Sequence, residues 1–334
     1  MSLAPYDDDQ FAAHSAGELP RATPLGERTW TLVLPLPVAP PPYTLVYVLE
    51  DARCDVHLVD TGWDLPGSLD LLAHGLEAVG LSLHRVASVT ATHLHSDHLG
   101  LASAIRSASG ARVQVHEAEQ IALDTTLRHE AADLDSWGVP PELHDAMAAM
   151  IGRARPTEVT ADRLLVHDEV LDIPGRQVRV LHTPGHTSGS LCLVEGDTVF
   201  TGDLVLPTIF PGVGLGGPAD DPLGDYLDSL NLVEALGDPL VAPGHGYVFR
   251  GLGERVASIR AHQLGRTAEV TAILERDPEA TVWEVASRVT WTAGWGELRG
   301  FHRVSALSQT AMRMRYTRHT AESGHTAETG RSTS

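Results

Sequence analysis

The residues best suited to do chemistry lie in one short segment, Thr92-His93-Leu94-His95-Ser96-Asp97-His98. Three histidines and an aspartate follow directly on residues 87–92, whose apolar pattern predicts a β-strand. In an extended loop alternate side chains point the same way, so His93 and His95 should share one side. A turn should then carry Asp97 and His98 to a neighbouring position. Imidazole and carboxylate groups arranged in this way favour a site for two adjacent metal ions.

Three further candidate ligands occur singly later in the chain. His186 lies in a Pro-Gly-His-Thr segment, Asp203 in Thr-Gly-Asp and His245 in Pro-Gly-His-Gly, and each follows an apolar strand pattern. Glycine and proline at a strand end let the backbone turn sharply and expose a side chain at the edge of a sheet. We therefore expect these three residues to meet the first cluster.

The segments around the candidate ligands alternate between strand and helix patterns. Runs rich in Val, Leu, Thr and Tyr predict strands at residues 29–38, 43–51, 56–60, 87–92, 112–116, 163–166, 177–182, 190–195, 198–201 and 239–242. Helical spacing and capping residues predict helices at residues 68–79, from the end of the histidine segment to about residue 109, and at residues 226–236 and 255–274. Two more are predicted, one that begins at the capping box of Thr281 and one at residues 299–317. The fold must therefore bring several strand ends to one edge.

The composition of the 334-residue chain excludes several kinds of chemistry. All 24 basic residues are arginines, which excludes enzymes that need a lysine on bound phosphates or as a Schiff base. The two cysteines, Cys54 and Cys192, are too few for a thiolate zinc site or a disulfide framework. The net charge of -20 disfavours non-specific binding of nucleic acid.

The N-terminal sequence and the apolar runs predict where the protein resides. Asp7, Asp8 and Asp9 stand where a secretory signal would have basic residues, and the longest apolar runs are interrupted by proline. We therefore expect a cytoplasmic protein without a membrane partner. Its richness in Ala, Gly, Pro and Arg is typical of a GC-rich bacterial genome.

The ordered motifs His-x-His-x-Asp-His, Pro-Gly-His-Thr, Thr-Gly-Asp and Pro-Gly-His-Gly resemble the metallo-β-lactamase superfamily. The resemblance covers residues 29–246 and includes an early Asp60-Thr61-Gly62 turn, in which Asp60 is expected to support the ligand loop. It implies an α/β fold of the αββα sandwich type, with the site at one edge of two facing sheets. It also implies two Zn²⁺ ions, with Fe or Mn as substitutes in some relatives. Carried over residue by residue, one ion would be bound by His93, His95 and His186, the other by Asp97, His98 and His245, and Asp203 would bridge them.

The resemblance implies hydrolysis by a hydroxide that bridges the two metal ions. Asp97 is also the expected catalytic residue, which orients this hydroxide and handles its proton. Aspartate rather than cysteine at position 203 favours hydroxyacylglutathione-hydrolase-like enzymes, lactonases and nucleases over lactam hydrolysis. We therefore expect a small ester, thioester or lactone as substrate. The alternatives are a single-strand endoribonuclease of the β-lactamase-like-2 type and a non-catalytic metal-binding module.

The chain is predicted to contain four parts. They are a flexible N-terminal arm at residues 1–25, a hydrolase domain at 26–250, a C-terminal helical module of winged-helix type at 251–318 and a disordered tail at 319–334. Within the hydrolase domain, residues 117–163 are predicted to form a helical insertion that caps one edge. This cap and the loop at residues 204–224 are expected to determine the substrate.

The C-terminal module carries an arginine-rich segment whose binding partner the sequence does not determine. Residues 298–320 contain no acidic residue and five arginines, namely Arg299, Arg303, Arg313, Arg315 and Arg318. On a helix these arginines would either contact phosphates or form the solvated side of a packing helix. We favour a small-molecule substrate as the partner, with nucleic acid as the weaker alternative.

Overall fold

The strands of the chain form two sheets in a computed structural model that describes residues 3–37, 42–125, 133–153 and 159–329. Sheet I contains, in spatial order, β2 (Thr23–Gly26), β3 (Thr29–Pro35), β4 (Tyr43–Glu50), β5 (Val56–Val59), β6 (Val86–Thr90), β7 (Arg112–His116) and β8 (Arg163–Leu165). Sheet II contains, in spatial order, β1 (Ala4–Pro5), β13 (Phe249–Arg250), β12 (Leu240–Pro243), β11 (Thr198–Gly202), β10 (Leu191–Glu195) and β9 (Arg179–His182).

Helices cover the outer faces of the sheets and form the C-terminal region. They are α1 (Asp8–Ala16), α2 (Ser68–Ala78), α3 (Ser96–Leu99), α4 (Ala102–Ser109), α5 (Glu117–Thr125), α6 (Asp133–Ser136), α7 (His144–Arg153), α8 (Pro222–Glu234), α9 (Leu252–Arg276), α10 (Val282–Arg288) and α11 (Gly300–Thr329). Short 3-10 turns lie at Leu83–Arg85, Pro141–Leu143 and Trp295–Glu297. No helix in the described part of the chain is both long and apolar enough to cross a membrane.

The core lies in three apolar layers, as expected for an αββα sandwich. One layer packs α2 and α4 on sheet I, with Leu72 and Ile105 fully buried against its strands. A second fills the space between the sheets, where Tyr47 of β4 meets Phe200 of β11 with ring centroids 5.0 Å apart. A third packs α8 and α9 on sheet II. The predicted fold class is therefore confirmed.

Parallel strands bring the strand ends that carry the candidate ligands to one edge of the sandwich. Strands β5, β6, β7 and β8 run parallel to one another in sheet I, and β11 runs parallel to β12 in sheet II. The carboxyl ends of parallel strands meet at the same edge of a sheet, where ligands commonly bind. The loops that follow β5, β6, β11 and β12 therefore gather there.

The prediction of a flexible arm at residues 1–25 is wrong for the described residues of that segment. Strand β1 pairs with β13, and α1 begins after Asp7, whose Oδ1 accepts from the backbone N–H of Gln10 at 2.7 Å. Asp8 and Asp9 lie in the first turn, where acidic side chains favour the helix dipole. Buried Gln10 then accepts from the backbone N–H of Val248 at 2.9 Å. The acidic run is thus a helix start.

The helical insertion packs against the C-terminal helices. Its described helices are α5, α6 and α7, whereas residues 126–132 and 154–158 of the predicted cap lie outside the described residues. Leu134 and Met147 share an apolar cluster with Ala286 of α10 and Leu307 of α11. The C-terminal helices also share the core of sheet II through Ile259 of α9.

The predicted winged-helix character of the C-terminal module is wrong, because its described residues 251–329 contain helices but no strand. A wing requires a hairpin, whereas the segment between α10 and α11 instead places Trp295 against Trp283, with ring centroids 5.0 Å apart. The predicted capping box is present, since Thr281 and Glu284 exchange hydrogen bonds at the start of α10.

The predicted disorder of the tail from residue 319 stays a prediction. Helix α11 continues to Thr329, through a segment that has no proline and contains the helix-forming residues Ala and Glu. The last predicted tail residues, 330–334, lie outside the described residues.

Candidate metal centre

The seven predicted ligands lie together at the edge formed by the strand ends. His93 and His95 follow β6, and Asp97 and His98 occupy the first turn of α3. The other three follow strands of sheet II, namely His186 after β9, Asp203 directly after β11 and His245 after β12. The structure therefore brings together residues from four separate parts of the sequence.

The first group contains three histidines that turn lone pairs toward one another. Nδ1 of His95 lies 3.0 Å from Nε2 of His93 and 3.1 Å from Nε2 of His186. The opposite nitrogens donate to backbone carbonyls, since Nε2 of His95 lies 3.0 Å from the oxygen of Leu215, and Nδ1 of His186 lies 2.8 Å from the oxygen of Gly212. Because a carbonyl oxygen only accepts, these contacts determine which nitrogen carries the hydrogen.

The second group contains Asp97, His98 and His245. Nε2 of His98 lies 3.3 Å from Nε2 of His245, which in turn lies 3.3 Å from Oδ2 of Asp97. Nδ1 of His245 donates to the backbone oxygen of Tyr43 at 2.8 Å, so its Nε2 faces the site. Gly244 is required beside it, because an added Cβ would lie 2.7 Å from Cε1 of His98.

Asp203 faces both groups with its two carboxylate oxygens. Its Oδ1 lies 3.5 Å from Nε2 of His98 and 3.5 Å from Nε2 of His245. Its Oδ2 lies on the other side, 3.9 Å from Nε2 of His186. A carboxylate in this position can contribute one oxygen to each of two metal sites.

Asp60 supports the ligand loop from behind, as expected from its place in the early turn. Its buried carboxylate accepts from Nδ1 of His98 at 2.7 Å and from the backbone N–H and the hydroxyl of Thr92 at 2.7 and 2.9 Å. Thr92 Oγ1 lies 3.1 Å from Nδ1 of His93, which therefore donates to it. Asp60 has a φ of +61°, a conformation that aspartate tolerates better than most residues.

The C-terminal helices hold the loop between Asp203 and α8. Backbone carbonyls of this loop orient two histidines of the first group. Gln263 of α9 donates to the backbone oxygen of Pro211 at 2.8 Å, next to the Gly212 carbonyl that binds His186. Arg313 of α11 donates to Oε1 of Gln263. The predicted substrate loop thus depends on two C-terminal side chains.

The arginine-rich segment of α11 is divided between packing and solvent. Arg313 is 4% exposed, and Arg303 lies over the rings of Trp283 and Trp295 at 5.8 and 5.3 Å. Arg315 and Arg318 are exposed. Burial of Arg313 removes it from the side chains that could contact phosphates.

Sequence reasoning missed two groups that hold the site. Glu119 of α5 is fully buried and accepts hydrogen bonds from both ligand loops of the first group. Tyr47 of β4 donates to the backbone oxygen of Pro243 at 2.6 Å and so holds the loop that carries His245. Glu119 lies within a helical pattern and Tyr47 within an apolar strand, so neither differs from an ordinary residue of its element in sequence.

The two groups differ in charge. Burial and the neighbouring histidines lower the pKa of His93 well below its usual range and that of His186 to about 4. Burial also favours the neutral form of His98, but the charges of Asp60, Asp97 and Asp203 outweigh it and raise the pKa of His98 to about 9. Burial opposes protonation of His245 as well, yet Asp203 and Asp97 raise its pKa well above 6.5. At pH 7 the first group is neutral, whereas the histidines of the second group carry protons.

The donor set fits bound divalent metal. Lone pairs that face each other at 3.0 and 3.1 Å in the first group repel unless a cation lies between them. Oδ1 of Asp203 is buried without a hydrogen-bond partner in the described part of the chain, with imidazole nitrogens 3.5 Å away. Tetrahedral zinc with nitrogen ligands at about 2.0–2.1 Å separates those ligands by about 3.3 Å. Nitrogen and carboxylate ligands suit Zn²⁺, with other first-row metals as competitors.

We expect metal binding near pH 7 to release protons, because the neighbouring carboxylates favour the protonated forms of His98 and His245, which must lose a proton to become ligands. Metal affinity should therefore rise with pH until it passes about 9, the pKa of His98. The stability of the metal-free protein should depend on pH in the opposite direction. Because this pKa is raised above 6.5, the stability that it contributes is complete below pH 6.5 and is lost as the pH rises through about 9.

Calorimetric titration with zinc in two buffers of different ionisation enthalpy measures the released protons directly. Equal binding enthalpies in the two buffers would contradict this expectation. A urea-unfolding series of the chelator-treated protein between pH 6.5 and 9 measures the stability change.

Comparisons with known proteins agree with the fold. A family model described as the Metallo-beta-lactamase superfamily matches residues 39–245. The chain is 27% identical over 241 residues to lactamase-like protein aptB of Emericella nidulans and 28% identical over 260 residues to atrochrysone carboxyl ACP thioesterase of Aspergillus chevalieri. These matches cover 71% and 75% of this chain, and 62% and 68% of those proteins, so the chain spans less than two thirds of aptB.

A solved structure extends the similarity into the C-terminal region. The crystal structure of a metallo-beta-lactamase family protein from Thermus thermophilus is 28% identical with a TM-score of 0.73, covering 89% of this chain and 95% of that chain. The family match spans more than half of this sequence, and the fold and the ligand motifs agree with it. The chain belongs to the metallo-β-lactamase superfamily.

Proposed function

We propose that the chain is a binuclear zinc-dependent hydrolase that acts on a small ester, thioester or lactone. The observation that carries this proposal is the carboxylate of Asp203, whose two oxygens face two separate groups of imidazole ligands. His93, His95 and His186 would hold one ion, and Asp97, His98 and His245 the other. When bound, the ions supply a hydroxide at neutral pH and polarise the carbonyl of the substrate.

Asp97 is the group that we assign to proton transfer. Its side chain is 18% exposed, compared with 3% for His245 and none for His98, so water reaches it most readily within the second group. The nearby imidazoles of His98 and His245 lower the pKa of Asp97, although burial opposes this, and keep it ionised. The ionised carboxylate can therefore accept a hydrogen bond from the attacking water, and we assign to it the orientation of that water and the transfer of its proton to the leaving group.

The choice among substrates rests on two observations. The similarity to a protein named as an acyl carrier protein thioesterase supports a thioester. The burial of Arg313 and the stacking of Arg303 on tryptophan reduce the basic surface of α11, which weighs against the endoribonuclease alternative. A non-catalytic metal-binding module is the third candidate, and the presence of every expected ligand weighs against it.

Metal analysis combined with a hydrolysis panel tests the proposal. The panel contains acyl-thioesters, acyl-homoserine lactones, nitrocefin and single-stranded RNA. We expect two zinc ions per chain and turnover of a thioester or a lactone. Cleavage of RNA alone would favour the nuclease, and metal binding without any turnover would favour the module. A metal content well below two per chain would contradict the binuclear site.

The variant Asp97→Asn distinguishes the hydrolase hypothesis from the hypothesis of a non-catalytic metal-binding module. If Asp97 transfers the proton, kcat should fall about 10²- to 10⁴-fold while the fold is retained. Asp64→Asn is the matched control, because Asp64 is exposed and lies close to the early turn. Equal kcat values for Asp97→Asn and the wild type would contradict the assigned role.

A further inference from the structure

Glu119 is a fully buried carboxylate that contacts both ligand loops of the first histidine group. We propose that it is a positioning residue, which holds these two loops at the separation that a metal ion requires. The inference rests on the proposed metal site and goes beyond it, because Glu119 is neither a ligand nor part of a recognised motif.

The hydrogen bonds of Glu119 join segments that are distant in sequence. Oε1 accepts from the backbone N–H of Leu94, which lies between His93 and His95, at 2.5 Å. The same oxygen accepts from the hydroxyl of Thr187 at 2.7 Å, and Oε2 accepts from the backbone N–H of Gly189 at 2.7 Å. These partners lie 25 residues before Glu119 and 68 and 70 residues after it.

The three partners of Glu119 are all donors, which suits an ionised carboxylate because it only accepts. Glutamine in the same place would direct its amide N–H groups toward at least one of these donors. Burial raises the pKa of Glu119 to about 7, and the three hydrogen bonds oppose this rise. An apolar side chain would avoid this desolvation penalty but would leave three buried donors of the two loops without a partner, so the carboxylate joins the loops through hydrogen bonds that an apolar group cannot make.

The backbone packing leaves little freedom at this contact. A Cβ added at Gly189 would collide with the backbone of Glu119, so α5 and the loop after His186 are in direct contact. His95 and His186 then approach to 3.1 Å between their facing nitrogens. Loss of the carboxylate frees both loops at once and should let these nitrogens separate.

The test compares Glu119→Gln and Glu119→Ala with Glu117→Gln, a control on the same helix whose side chain is exposed. Zinc affinity is measured by competition with a chelator, and thermal unfolding is measured on the metal-free proteins. Supporting partners of metal ligands typically contribute about 10- to 100-fold in affinity. We therefore expect about 10-fold weaker binding of one ion in Glu119→Gln, up to about 100-fold in Glu119→Ala and no change in the control.

A double-mutant cycle identifies the group that is affected. In a His186→Ala background the first group is already broken, so Glu119→Gln should change zinc affinity by less than about twofold. The inference is overturned if both Glu119 variants bind zinc as the wild type does, even if they melt at a lower temperature. An equally large effect in the His186→Ala background also overturns it. A wild type that binds no zinc would overturn the proposed metal site as well.

Discussion

Asp203→Asn should lose at least one metal ion per chain and nearly all activity. The substitution preserves shape, but it removes the charge that faces His98 and His245 at 3.5 Å and replaces one ligand oxygen by an amide nitrogen that carries hydrogens. Because one carboxylate faces both groups, neither proposed site would keep its ligand set. We expect kcat/KM to fall by more than the roughly 10⁴-fold that a single proton-transfer group supplies. Metal analysis after dialysis and assays on the preferred substrate measure the two effects.

The matched control for this prediction is Asp172→Asn, which makes the same charge change at an exposed position. Its metal content and kcat/KM should equal those of the wild type. If Asp203→Asn keeps two tightly bound ions, Asp203 does not bridge the groups. If it keeps its metal but loses activity, its role lies in the reaction rather than in holding the ions.

Asp60→Ala should destabilise the metal-free protein by about 3–5 kcal/mol, the usual loss when one partner of a buried charged pair is removed. The substitution leaves Nδ1 of His98 and both donors of Thr92 without their buried acceptor. Alanine is also strained at the φ of +61° that Asp60 adopts. Urea unfolding in the presence of a chelator measures the effect without a contribution from bound metal.

Asp60→Asn separates the charge from the backbone conformation, because asparagine also tolerates positive φ. It should be less destabilising than alanine, yet His98 should lose the largest of the three carboxylate charges that raise its pKa. Asp64→Ala, at an exposed neighbouring position, controls for the loss of an acidic side chain. A loss below about 1 kcal/mol in Asp60→Ala would mean that the ligand loop is held by its other contacts.

The sequence predicts the ligand segments well because their signals are local. Each candidate ligand follows a strand whose apolar pattern is visible, and strand β6, predicted at residues 87–92, is found at Val86–Thr90. The resemblance of the ordered motifs to the superfamily implies which residues meet, and the structure brings His93, His95 and His186 together in one group and Asp97, His98 and His245 in another. That these groups bind two zinc ions stays a prediction.

The supporting residues could not be predicted because their partners are remote. The buried role of Glu119 depends on Leu94 and Gly189, which its own helix pattern does not reveal. Arg313 has the sequence context of a solvated basic helix, and only its contact with Gln263 distinguishes it. The acidic run at Asp7 indicates only charge in the sequence, whereas its physical role is to cap a helix. Local patterns predict elements, whereas buried polar partners depend on how the elements pack.

The dependence of the loop after Asp203 on α9 and α11 has a consequence for synthesis. Pro211 and Gly212 leave the ribosome long before Gln263 and Arg313, which hold them in the finished protein. A growing chain therefore already carries its metal-binding side chains while the carbonyl that orients His186 is still unsupported. High-affinity metal loading should thus be a late event, which follows the synthesis of α9 and α11.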